Sequence, residues 1–242
     1  MFPGISRLSM SAAAAAALLA AQACGADPDA LRHIVQDQCV AHWAGQHDPA
    51  PCVEVHPGYA LLADRKGGAH FLLIPTRTIT GIESAELLSP DALNYLGLAW
   101  AARGHLASVV GHDVPRGAVG LAVNPVRARS QTQLHVHIEC LRPDVFAALD
   151  RDSGRIAGAW VPVRIGAAEF EALRVSGEDL EEHNPFKMLN ERASQEHRAM
   201  GDYTLIVAGA DSKLGPGFIL LASTAAAGEL LLDSTCAVVK GT

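Results

Sequence analysis

Apolar residues recur at two periods along this chain, and the period-two stretches carry its most specific signal. In Gln133-Leu134-His135-Val136-His137-Ile138-Glu139-Cys140, polar and ring-bearing residues alternate with Leu, Val and Ile, the mark of a half-buried strand. Strand geometry sets residues 133, 135 and 137 on one face, successive members about 6.5–7 Å apart. Residues 119–123 read as the strand before it, with Asn124-Pro125 and the polar run 127–132 as the hairpin connection. Residues 59–64 and 70–74 flank a Lys66-Gly67-Gly68 turn, and 203–208 and 218–222 flank Gly215-Pro216-Gly217, which makes two further hairpins. Helical signals fall between them. Asp27-Pro28-Asp29 opens a helix to about Gln38, with Asp27 as N-cap and Pro28 in its first turn. Ser89-Pro90-Asp91 caps a second helix to about Gly104, whose Leu93, Leu96 and Trp100 face is expected to pack on the sheet. Short helices are expected at 143–150, 167–175 and 185–193. Antiparallel hairpins beside helices predict an α+β fold, an antiparallel sheet flanked by helices in a single domain.

Two imidazoles on one sheet surface are costly as filler, because a buried imidazole needs a partner for each ring nitrogen. Such a pair serves either metal ligation or nucleophilic catalysis. Of the 11 histidines, those outside this strand form no further close pair, and neither His-x-x-x-His nor Cys-x-x-Cys occurs. A zinc site would therefore have to be assembled from scattered residues. The nucleophile reading gains from the hairpin, which would bring Asn124, Arg129 and Ser130 to the histidine face. Neutral and cationic donors of that kind suit phosphate oxygens. No GxxxxGK[ST] or GxGxxG loop is present, so ATPase and dehydrogenase readings fall away.

Asn124, Ser130 and the strand from Gln133 resemble the active-site hairpin of the histidine triad (HIT) superfamily of nucleotide hydrolases and transferases. That superfamily carries His-φ-His-φ-His-φ-φ, φ being apolar. Further identities narrow the resemblance to the CDP-diacylglycerol pyrophosphatase branch. They include Leu31-Arg32-x-Ile34-Val35 with Cys39, Pro51-Cys52-x-Glu54-Val55, Leu73-x-Pro75-Thr76 and Leu98-Ala99-Trp100. Others are Leu121-Ala122-x-Asn124, Cys140-x-Arg142-Pro143-Asp144-Val145 and Pro185-Phe186-x-Met188-Leu189. The resemblance covers most of residues 30–236 in order. It implies a HIT-like domain that hydrolyses CDP-diacylglycerol to CMP and phosphatidate through a nucleotidyl-histidine, with no metal or other cofactor. His135 would be the nucleophile, and His137 would steady the strand end and the phosphate. Asn124 and Ser130 would contact the phosphate and the bridging oxygen; Arg129, which the hairpin and not the resemblance places beside them, would bind phosphate as a cationic donor. Gln133 stands where the triad has its first His; it can orient His135 but cannot carry a proton. A nucleotidyl transferase on the same scaffold and a non-catalytic periplasmic nucleotide- or phospholipid-binding protein are the alternatives.

Residues 1–26 change the picture of where this happens. Arg7 is followed by an Ala-rich stretch with Leu18 and Leu19, ending in Ala21-Gln22-Ala23-Cys24-Gly25-Ala26. That is the pattern of a signal peptide cleaved after Ala23 or Ala26, or of a retained N-terminal membrane anchor, with lipidation at Cys24 the weakest alternative. Residues 27–242 would form the catalytic domain, periplasmic or anchored to the periplasmic face of the inner membrane. Of the 5 cysteines, Cys24 falls in this leader, leaving Cys39, Cys52, Cys140 and Cys236. An even set in an exported chain suggests two disulfides among three pairings. Cys39 with Cys52 closes a short loop, which leaves Cys140 for Cys236. The balance of 26 acidic against 19 basic residues argues against a nucleic-acid partner. The expected partners are CDP-diacylglycerol and, through it or the leader, a membrane surface. Leu230-Leu231-Leu232 would line an acyl groove or, as apolar runs more often do, pack in the core.

Overall fold

A computed structural model describes residues 27–212 and 215–240, so the leader reading and Cys24 lie outside the described residues. Ten strands form one sheet in which every pairing is antiparallel. They are β1 Glu54–His56, β2 Tyr59–Ala63, β3 Phe71–Pro75, β4 Val119–Val123, β5 Val136–Leu141, β6 Val161–Ile165, β7 Ala168–Ser176, β8 Thr204–Ser212, β9 Gly215–Ser223 and β10 Leu232–Asp233. The order is β1-β2-β3-β5-β4-β8-β9-β7-β6, with β10 on the C-terminal end of β5. The chain is thus the single α+β domain expected, and β5 lies inside the sheet between β3 and β4.

Helices cover both faces. On one, α3 Tyr95–Ala101 and α6 Pro185–Gln195 bury Leu96, Trp100, Phe186 and Leu189 against Leu134, Val136, Ile138 and Cys140. On the other, two separate cores form. The N-terminal helical segment, α1 Ala30–His33, a π-helical stretch Ile34–Val40 and α2 Ala41–Gln46, sets Val35 and Cys39 over Ala60, Leu62, Leu72 and Ile74. Further along, α5 Pro143–Asp152 sets Val145, Ala148 and Leu149 over a core containing Ala122, Leu141 and Ile206. The short α4 His105–Val110 completes the helices. Among the described residues no helix is long and apolar enough to cross a membrane.

Several boundaries differ from the expectations, some for local and some for tertiary reasons. The first helix begins at Ala30, not at Pro28, and continues to Gln46. Asp27 Oδ1 accepts from Asp29 N–H (2.9 Å), and the helix's free Leu31 N–H is met by Gln131 Oε1 (2.9 Å), a cap supplied from 100 residues away. The second helix is capped by Asn94, whose Oδ1 accepts from Gly97 N–H (3.1 Å), so Leu93 precedes it and stays 41% exposed. Residues 167–175 are strand β7, not a helix. Gly166, at φ +58°, opens a two-residue connection from Ile165 to Ala168, and β7 then pairs along β6 and β9. Gly215-Pro216-Gly217 belongs to β9, not to the turn. Gly217 is needed there because a Cβ would fall 2.5 Å from the Val175 carbonyl oxygen of β7.

Candidate active site

The two cores on the second face leave a gap, and β5 crosses its floor. The alternation of this segment is as expected, with Leu134, Val136, Ile138 and Cys140 turned to the α3 side. The ladder itself begins only at Val136, because Leu134 N–H is already engaged by Ile79 O (2.6 Å). A cavity of about 970 Å³ fills the gap. Ala30, Leu31 and Ile34 form one wall, Asn124, Ser130, His135 and His137 line the polar part, and Arg65 and Lys66 of the β2–β3 turn stand at its side.

His135 is held in one tautomer. Its Nδ1 lies 2.8 Å from the Gln133 backbone oxygen, and since a carbonyl only accepts, Nδ1 carries the proton and Nε2 the lone pair. Burial holds its pKa below the ordinary histidine value, although the same carbonyl works in the opposite direction. His135 is therefore a neutral imidazole at neutral pH, with an unprotonated Nε2.

His137 stands at the mouth of a buried polar chain. Its Nδ1 lies 3.0 Å from His70 Nε2, which is also 3.2 Å from Glu139 Oε1, and His70 Nδ1 is 3.9 Å from Asp64 Oδ2. Burial, with His135 and His70 adding to it, holds the His137 pKa well below the usual range. Burial also lowers His70, and it pushes Glu139 up to about 8 with help from the carboxylates of Glu229, Asp64 and Asp233. The other nitrogen of His137, Nε2, is buried with no hydrogen-bond partner, and the nearest carboxylate, Glu229 Oε2, is 3.6 Å away. A buried polar atom left this way is open to a water or a ligand group. Among the described residues, His70, His137 and Glu139 bring ligand atoms within 4.8 Å of one another. The 3.0 Å nitrogen-to-nitrogen separation is that of a hydrogen bond, so the trio reads as a proton-sharing chain.

The remaining predicted residues divide. Asn124 is buried in the cavity floor and accepts from Glu229 N–H (3.3 Å). Ser130 lines the same cavity. Arg129 and Gln133 instead line a second space of about 10 Å³ behind His135. Arg129 Nη1 donates to Glu83 Oε2 (2.6 Å) and lies over Gly81, where a Cβ would fall 1.7 Å away, so a larger residue there would displace the guanidinium. Gln133 Nε2 donates to Pro75 O (3.0 Å) and Arg77 O (2.8 Å), pinning the start of β5 to the end of β3, while its Oε1 is buried without a partner. Leu231 and Leu232 pack in the α5 core, and Leu230 is 59% exposed.

Sequence reasoning overlooked His70, Asp64, Glu139 and Glu229. Glu139 alone left a trace, an acid at the seventh position of a pattern that is apolar there, on the same alternation as His135 and His137.

A neutral imidazole beside amide and hydroxyl donors, with two cations at the side, equips an antiparallel α+β domain for chemistry at phosphorus. The chain belongs to the CDP-diacylglycerol pyrophosphatase family, whose model matches residues 26–240. It is a hydrolase of a pyrophosphate bond, and CDP-diacylglycerol is the substrate.

Proposed function

We propose that the chain cleaves CDP-diacylglycerol by covalent catalysis on His135, within a HIT-like site, as an exported enzyme. The observation that carries this reading is the hydrogen bond from His135 Nδ1 to the Gln133 carbonyl, which leaves Nε2 free to attack. The Nε2 lone pair forms a bond to the nucleotide-side phosphorus while the bridging P–O bond breaks. Phosphatidate departs as a phosphate monoester, whose second pKa of about 6 lets it leave with little help from an acid. Water then cleaves the P–N bond, CMP is released and the imidazole is restored. His137 Nε2–H would hold a phosphate oxygen, satisfying an atom otherwise without a partner. Asn124 and Ser130 are placed to hold others. Arg129, paired with Glu83, acts on the site mainly through its charge behind His135, and Gln133 orients His135 through its own carbonyl. The two disulfides are compatible with export, and a lipid substrate brings the enzyme to a membrane surface.

The test is CMP release from CDP-diacylglycerol by wild type and His135→Ala, both in excess EDTA. Wild type is expected to turn over and the variant to be inactive at least 10³-fold, about the scale on which a nucleophile acts. Turnover by His135→Ala, or loss of wild-type activity in EDTA, would falsify the metal-free covalent route.

A further inference from the structure

Glu229 is a carboxylate in a pocket built for an anion. It comes from a turn, Gly228–Leu231, that crosses the gap above β4. Its Oε2 lies 3.6 Å from His137 Nε2, and 40% of its side chain is exposed, so it reaches both the cavity and solvent. The turn is held in two ways. Glu229 N–H donates to Asn124 Oδ1 (3.3 Å), and Gly228 sits so close to the sheet that a Cβ would fall 2.4 Å from Thr204 Oγ1 and 3.2 Å from Ala122 Cβ. A negative charge placed here repels a pyrophosphate, so substrate binding does not account for it.

We propose that Glu229 is the general base of the second half-reaction, accepting a proton from the water that cleaves the nucleotidyl-histidine. The inference rests on the covalent reading above. In the first step His135 supplies its own lone pair, and the leaving group needs little acid assistance. The second step is different. Water is a weak nucleophile until it begins to lose a proton, and His135, bonded to phosphorus, cannot accept it. His70 and Asp64 also line the cavity, but Asp64 Oδ2 is turned toward His70 Nδ1 at 3.9 Å, and His70 Nε2 is taken up by His137 and Glu139. Glu229 is the carboxylate that faces His137 from the open side. A lone pair of the water oxygen forms the new P–O bond as the P–Nε2 pair returns to His135. One water proton passes to the Glu229 carboxylate and then to solvent, and CMP leaves.

Rapid-quench kinetics that follow phosphatidate and CMP separately test this. Glu229→Gln is expected to release one phosphatidate per enzyme as fast as wild type, then to turn over about 10²–10⁴-fold more slowly. CMP should remain on the protein as an acid-labile adduct, and Glu229→Asp should recover part of the rate. CMP release by Glu229→Gln at the wild-type rate would overturn the proposal, as would an equal loss in burst and steady state. His135→Ala separates the two ideas. If it turns over, the covalent reading fails and this one with it; if it is inactive while Glu229→Gln turns over normally, only the role of Glu229 fails.

Discussion

Glu139 shows how one side chain ties stability to pH. It is buried beside His70 and among other carboxylates, which pushes its pKa up to about 8. In the unfolded chain it ionises above about 4.5, so between those values the folded state holds a proton that the unfolded state has lost. Stability therefore falls as pH rises through that window, by up to about 1.4 kcal/mol per pH unit. Glu139→Gln removes this titration. Its stability relative to wild type should climb between pH 5 and pH 8 in urea denaturation and level off above that, and a pH-independent difference would contradict the burial argument. Gln133 works differently. Reading it only as a replacement for a triad histidine missed its structural part, because its two acceptors, Pro75 O and Arg77 O, lie more than 50 residues upstream.

Elements position the site through contacts that no local pattern contains. The run Ala-Glu-Phe-Glu-Ala-Leu-Arg from residue 168 is composed of good helix formers, yet pairing with β6 and β9 makes it a strand. Its Gly166 was the overlooked turn signal. The turn carrying Glu229 is the more consequential case. Thr204 Oγ1 is engaged by Val123 O (2.9 Å), so it cannot rotate away from a new Cβ at residue 228 without leaving that bond. Gly228→Ala should therefore lift the turn, cost about 1–3 kcal/mol as an overpacked site, and slow CMP release. Wild-type behaviour in both a urea melt and the turnover assay would show that the turn does not need this close approach.

For the molecule as a whole, the disulfides and the two roofed cores decide where the cavity can be. Cys39–Cys52 ties the π-helical stretch to the loop before β1, beside the apolar wall of the cavity. Cys140–Cys236 ties β5 to the C-terminal segment across a separation of 96 residues, against 13 for the first pair. Closing the longer loop constrains the unfolded chain more, so Cys140→Ser/Cys236→Ser should lose about 1–2 kcal/mol more than Cys39→Ser/Cys52→Ser. Guanidinium denaturation of the two double variants measures the difference. The reverse order would mean that native contacts, and not loop closure, dominate at one of the pairs.

The alternation that sets His135 and His137 on one face, the connection with Asn124 and Ser130, and the set of four paired cysteines were legible in the chain because each rests on local alternation, a turn or a count. The α+β class followed from the same periodicities. His70, Asp64, Glu139 and Glu229 became a site only on folding. They come from the β2–β3 hairpin, β5 and the turn before β10, elements far apart in the sequence. What unites them is the sheet order β3-β5-β4 and a gap between two cores on one face. Periodicity along a chain states which way a side chain points; which other side chains it meets depends on strand order and on what covers the sheet, and both are set by long-range packing.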